Sequence, residues 1–146
     1  RRRDFTINAM AYHPDIGLRD PFDGQADIAR RMIRCVGDAG ARFTEDALRI
    51  LRALRFAAEL GFDIAPDTAR AMRALSGRLA LICRERIAAE LLRALNGENA
   101  VPVLQAFDTV LLAALPDYPA AALPEPVPPP AADGETGCPS ASPAAP

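Results

Sequence analysis

Residues 44–61 read TEDALRILRALRFAAELG, and this stretch predicts a long amphipathic helix. Thr44 is a favourable N-cap, and two acidic residues follow it in the first turn, where the helix dipole favours negative charge. Apolar residues then recur with helical spacing up to Gly61, which stands where a C-terminal glycine cap is expected. We therefore predict one continuous helix over residues 44–60.

The sequence after this helix predicts three more helices. Pro66 suits the first turn of a helix that ends at Gly77. Two further helices are predicted over residues 84–95 and 99–115, the first closed by an Asn-Gly pair and the second by a proline. The predicted fold class is mainly α.

The residues before the long helix have another pattern. Short strands around residues 9–13 and 17–20 flank turn residues and are predicted to pair as a hairpin. A short helix is predicted over residues 25–31 and a last strand over residues 33–36.

Composition excludes several classes of protein. The chain has 146 residues and a net charge of -2, with no stretch long and apolar enough for a membrane span. Its three cysteines are widely spaced, which disfavours a disulfide framework or a cysteine-based zinc site and favours a cytoplasmic location. Every basic residue is arginine, which suits phosphate binding but also follows from a GC-rich genome.

The first stretch with chemistry is RRDFTINA, residues 2–9. The guanidinium groups of Arg2 and Arg3 suit phosphate oxygens. Asp4 is predicted either to accept a hydrogen bond from a sugar hydroxyl or to hold an arginine, and Asn8 to orient the loop. The alternative is a solvated basic run.

The second stretch is EDALRILR, residues 45–52, continued by Arg55. In a continuous helix, Asp46 and Arg49 are neighbours on one face. A carboxylate beside a guanidinium offers the acceptor and donors that match the amino group and ring nitrogen of cytosine or adenine, whereas uracil and guanine reverse that pattern. The alternative is a surface ladder of ion pairs.

Two other stretches have weaker signals. The turn residues of DPFDGQAD, 20–27, predict either a hinge or a plain loop, with acids too scattered for a metal site. Near residue 84, Glu85 or Glu90 is predicted to pair with basic groups of the preceding helices, in a structural role. His13 is assigned no role.

Together and in this order, these stretches resemble the class II tRNA nucleotidyltransferase and bacterial poly(A) polymerase family. The resemblance covers about residues 1–118. The matching segments are RRDFTINA at 2–9 (motif B), DPFDGQADIARRMIR at 20–34 (motif C, with Asp23 where glycine is more usual), EDALRILR at 45–52 (motif D) and ERIAAEL at 85–91 (motif E).

The resemblance implies a nucleotide site shared by a head and a neck domain. It implies that Arg3 contacts the triphosphate and that Asp46 and Arg49 read the base of incoming CTP or ATP. Arg52 and Arg55 would complete the pocket. The supporting residues are Arg2, Asp4, Asn8 and Glu45, and motif C would be the hinge between the two domains.

The resemblance also divides the chain. Residues 1–37 are expected to be the remnant of an α/β nucleotidyltransferase head, residues 38–117 a helical neck, and residues 118–146 a disordered Pro- and Ala-rich tail. The family's two metal-binding aspartates should precede residue 1, and the chain has no Asp-x-Asp pair.

These features imply a fragment without catalytic residues or metal ligands. Its parent would use Mg²⁺ to add C, A or both to the 3′ end of tRNA or another RNA. The alternatives are a poly(A) polymerase fragment and a non-catalytic module from a degenerate gene that binds nucleotide or RNA.

Overall fold

The computed structural model of the chain describes residues 3–115, so Arg2 and the predicted disordered tail at 118–146 lie outside the described residues. Within this range the fold is mainly α, as predicted, and no helix is long and apolar enough to cross a membrane. The helices are α1 (Gly24–Ala29), α2 (Ala39–Glu45), α3 (Leu48–Leu60), α4 (Pro66–Leu75), α5 (Arg84–Leu95), α6 (Ala100–Ala106) and α7 (Asp108–Ala114). The strands are β1 (Ala11–His13), β2 (Gly17–Arg19), β3 (Met32–Ile33) and β4 (Asp63–Ile64), and 3-10 turns span Thr6–Asn8 and Ser76–Leu81.

The prediction of one continuous helix over residues 44–60 was wrong. Thr44 lies in the last turn of α2, whose N-cap is Asp38, and the chain breaks at Asp46, where the backbone is extended (φ -151°, ψ 103°). The Asp46 side chain then accepts a hydrogen bond from the Leu48 amide at 3.1 Å and starts the next helix. The break lets α2 pack on α4 while α3 packs on α5.

The structure confirms the predicted hairpin and two of the other predicted helix positions, and it divides one predicted helix. The hairpin is confirmed, since β1 and β2 pair in antiparallel fashion, and α4 begins at Pro66 as predicted. The helix predicted over 84–95 is α5. The helix predicted over 99–115 is instead two helices, because the chain turns at Phe107 to bury that ring in the core.

The core is built around α3, which buries one whole side. Its partners are the aromatic rings of Phe5 and Phe43 and apolar residues of the outer helices. Each such side chain contributes about 1.5–3 kcal/mol on burial. The largest fully buried side chains include Phe5, Ile33, Phe43, Ile50, Leu51, Leu54, Met72, Leu79 and Val110.

The N-terminal segment is tied to the rest through backbone pairing. The Thr6 amide donates to the Arg34 carbonyl at 2.9 Å, and the Val36 amide donates to the Asp4 carbonyl at 3.0 Å. The segment that contains β3 also pairs on its other side, where β3 lies parallel to β4. The end of motif C is therefore hydrogen-bonded on both sides, and its role as a hinge stays a prediction.

A buried carboxylate reinforces this junction. Asp27 accepts a hydrogen bond from the Thr6 hydroxyl at 2.5 Å and pairs with the Nε of Arg34 at 2.8 Å. Gly24 lies so close to this turn that a Cβ atom there would sit 2.3 Å from the Thr6 carbonyl oxygen. Motifs B and C thus pack directly against each other.

Candidate functional site

Three arginines follow one another along α3 on the side away from the core. They recur at three-residue steps, so they run obliquely along the helix surface. Their side chains are only partly exposed, with 12% for Arg49, 33% for Arg52 and 11% for Arg55. Such burial requires partners, and acidic residues of the N-terminal segment and of α2, α3 and α5 provide them.

Asp4 bridges the first two arginines. Its Oδ1 lies 2.8 Å from the Nε of Arg49, and its Oδ2 lies 2.8 Å from the Nε of Arg52. Both contacts are ion pairs, and no hydrogen bond is described for the Nε of Arg52. Of the two roles predicted for Asp4, the structure shows the contact with arginine.

Asp4 is placed by its neighbours in motif B. The Phe5 ring is fully buried and meets the edge of Phe56 on α3, with ring centroids 5.7 Å apart. The Asn8 side chain accepts a hydrogen bond from the Phe5 amide at 3.2 Å, which closes the turn as predicted for a loop-orienting residue. Arg3 is exposed beside Asp4.

Arg49 is the most heavily engaged residue of the site. Its Nη1 donates to Glu45 and to the Arg42 carbonyl, each at 3.0 Å, and so covers the C-terminal end of α2. Burial lowers the pKa of Arg49. The hydrogen bond to Glu45 and the charges of Asp4, Glu45 and Asp46 raise this pKa by more than burial lowers it, so the net shift is upward. The described contacts of Arg49 use its Nε and Nη1 donors.

Sequence reasoning missed Arg42. Its Nη1 lies 3.1 Å from Glu45, and its Nε donates to the Val36 carbonyl at 3.1 Å. Glu45 is therefore shared by Arg42 and Arg49, which supports the expectation that it assists the site. A helix predicted to begin at Thr44 leaves Arg42 outside, so no local pattern pointed to this residue.

Asp46 occupies the break between α2 and α3. The prediction that Asp46 and Arg49 share one continuous helix is wrong because Asp46 is extended, although the Arg49 amide still donates to the Asp46 carbonyl at 3.2 Å. Its Oδ1 accepts from the Leu48 amide, while its Oδ2 lies 3.5 Å from the Nη2 of Arg86 on α5. The two residues still flank the same junction.

Arg55 is held by acidic groups on two helices. Its Nε contacts Glu90 on α5 at 2.7 Å, its Nη1 contacts Glu59 at 2.8 Å, and its guanidinium stacks 4.1 Å from the Phe56 ring centroid. The prediction that Glu85 or Glu90 pairs with a preceding helix is confirmed for Glu90. This buried pair joins α5 to α3.

The side chains of this site offer hydrogen-bond donors and charged groups, but the described residues form no cluster of metal ligands. Within residues 3–115 no group of three His, Cys, Asp or Glu side chains could hold a metal ion, so the described residues do not fit a Mg²⁺ centre. The guanidinium groups suit phosphate and base acceptors, and Asp46 offers an acceptor. Such donors and acceptors are the groups that nucleotide recognition requires.

Two family models match the chain. One, described as the poly(A) polymerase head domain, matches residues 1–34. The other, described as a probable RNA- and SrmB-binding site of polymerase A, matches residues 61–121.

Curated relatives agree with these matches. The CCA-adding enzyme of Leuconostoc citreum is 50% identical over 119 residues, which are 81% of this chain and 30% of that protein. The CCA-adding enzyme of Staphylococcus aureus is 50% identical over 99 residues, 68% of this chain and 25% of that protein. The chain thus spans less than a third of the length of these relatives.

Solved structures give the same result. The CCA-adding enzyme of Bacillus stearothermophilus in complex with CTP is 42% identical, with a TM-score of 0.70 over 77% of this chain and 33% of that one. The Thermotoga maritima CCA-adding enzyme complexed with tRNA is 32% identical, with a TM-score of 0.72 over 82% of this chain and 31% of that one.

Proposed function

We propose that this chain selects the nucleotide for an enzyme that adds C and A to the 3′ end of tRNA. The premise is that the chain belongs to the class II tRNA nucleotidyltransferase and bacterial poly(A) polymerase family. CTP and ATP would be its substrates. Similar structures of CCA-adding enzymes in complex with CTP, ATP and tRNA support these substrates.

The observation that carries the proposal is that Asp46 and Arg49 lie at the same α2–α3 junction, where the Arg49 amide donates to the Asp46 carbonyl at 3.2 Å. Asp46 offers a carboxylate oxygen to an exocyclic amino group, and Arg49 offers N–H groups to the adjacent ring nitrogen. Cytosine and adenine present the amino group and acceptor together, whereas uracil and guanine reverse them. The site would therefore accept C and A.

The remaining arginines would bind the rest of the nucleotide. Arg3 is exposed beside Asp4 and is proposed to contact the triphosphate. Arg52 is the most exposed of the three arginines of α3 and is proposed to complete the pocket. Arg55 is proposed to support that pocket through its contacts with Glu90 and Glu59, since those contacts use its Nε and Nη1 donors.

Nucleotide binding and metal binding are proposed to lie in different parts of the protein. We propose residues 1–37 as part of the head, residues 38–117 as the neck, and residues 118–146 as a tail. Mg²⁺ would be held by carboxylates outside residues 3–115, so the described part supplies no step of the transfer itself. We also propose a cytoplasmic location, because the proposed role is in tRNA processing.

The test uses a hybrid in which the catalytic head segment of the Leuconostoc citreum relative is joined ahead of Arg1 of the full chain. The same junction made with the relative's own matching residues is the control. We expect the hybrid to add C and A to a tRNA that lacks its 3′ end. A folded hybrid that adds nothing while the control is active would overturn the proposal, and long A-only products would favour a poly(A) polymerase.

A further inference from the structure

We propose that Arg86 is a positioning residue for base choice, which acts by orienting the carboxylate of Asp46. Arg86 lies on α5, outside the stretches predicted to touch nucleotide. The proposal rests on the proposed function, because it concerns how that same site distinguishes one base from another.

The carboxylate of Asp46 has one oxygen committed to the fold. Its Oδ1 accepts the Leu48 amide at 3.1 Å, which starts α3. Its Oδ2 is then the oxygen that can meet the amino group of a base. Arg86 is the residue described at that oxygen, with its Nη2 3.5 Å away.

A second arginine holds the backbone of the same junction from the same side. Arg78 donates from its Nη2 to the Thr44 carbonyl at 3.3 Å, near the end of α2. Its Nε is buried without a hydrogen-bond partner in the described residues. Residues 44–46 are therefore held by Arg78 at the backbone and by Arg86 at the side chain.

The helix that carries Arg86 is itself fixed. Glu90, one turn further along α5, pairs with Arg55 of α3 at 2.7 Å, and Ile87 is buried in the core. Arg86 thus approaches Asp46 from a rigid support.

The expected effect is modest because the pair is partly exposed. The side chains are 53% exposed for Arg86 and 36% exposed for Asp46. Pairs of this kind contribute little to stability, so the effect on selectivity should be about two- to fivefold rather than a loss of function.

The experiment measures kcat/KM with each of the four nucleoside triphosphates in the hybrid described above. Arg86→Ala should lower kcat/KM for CTP and ATP about two- to fivefold and leave UTP and GTP unchanged. Arg86→Lys should recover part of the loss because it keeps the charge. Arg93→Ala, which removes an exposed arginine from the same helix, is the matched control.

A double-mutant cycle separates positioning from a general structural role. If Arg86 acts through Asp46, Arg86→Ala should have no further effect in an Asp46→Ala background. An equal loss for all four nucleotides, an additive loss, or no change in Arg86→Ala would overturn this inference alone. A wild-type hybrid without preference for CTP and ATP would instead overturn the proposed function.

Discussion

Asp4 joins Arg49 and Arg52, with one carboxylate oxygen 2.8 Å from the Nε of each arginine. The contact connects the N-terminal segment to the surface of α3. It fixes the direction of the Arg49 guanidinium, the group proposed to read the base, before any ligand arrives. Asp4 therefore acts on the site by holding arginine side chains that would otherwise repel each other.

Replacing Asp4 should destabilise the fold. Asp4→Ala leaves two partly buried guanidinium groups close together without their shared counter-charge, at a cost of about 1–3 kcal/mol. Urea unfolding of the full chain, followed by circular dichroism, measures this change. Asp67→Ala is the control, since Asp67 is 88% exposed in its pair with Arg70 and should change stability by less than about 0.5 kcal/mol. Equal effects of the two substitutions would contradict the structural role of Asp4.

The contact between Asp4 and Arg49 is of a kind that local sequence patterns cannot predict. Local patterns predicted α5 and the start of α4, because proline and Asn-Gly act on their immediate neighbours. Helical periodicity could not reveal the break at Asp46, since an acidic residue suits both a first helical turn and a side-chain cap. The Asp4 contact joins segments far apart in sequence, so only the fold brings them together.

Gly24 should be intolerant of a side chain. A Cβ atom there would lie 2.3 Å from the Thr6 carbonyl oxygen, which is backbone and cannot move without breaking the pairing of motif B. Gly24→Ala should therefore cost about 1–3 kcal/mol by overpacking. Gly77→Ala is the matched control because nothing lies within 4 Å of its Cβ position. Thermal unfolding of both variants checks the difference, and equal melting temperatures would contradict the packing described.

The Cys35 thiol should resist alkylation in the folded chain. Burial raises its pKa to about 11, whereas Cys83 is exposed. In a Cys83→Ser, Cys138→Ser variant, iodoacetamide at pH 8 should modify Cys35 only after unfolding. Since the folded state keeps its proton to higher pH, the free energy of unfolding should fall as the pH rises from 9 towards 11. Rapid alkylation of the folded variant would contradict this burial.

The 146-residue chain alone should incorporate no nucleotide. Residues 3–115 contain no group of three side chains that could hold a metal ion, and two-metal transfer needs such carboxylates. The assay supplies ATP, CTP, Mg²⁺ and a tRNA that lacks its 3′ end. Metal-dependent incorporation by the purified chain, free of contaminating enzyme, would refute the assignment of catalysis to another part of the protein.

The most direct test of the account is base selectivity after Asp46→Ala in the hybrid with a catalytic head segment. Single-nucleotide incorporation is measured with CTP, ATP, UTP and GTP. We predict that transfer persists, while preference for C and A over U and G falls by about 1–3 kcal/mol, or up to roughly a hundredfold. Arg49→Ala should behave alike, and Arg3→Ala should weaken all four nucleotides equally because phosphate contacts carry no base information. An equal loss for all four nucleotides in Asp46→Ala would contradict base reading and leave Asp46 as a structural cap of α3.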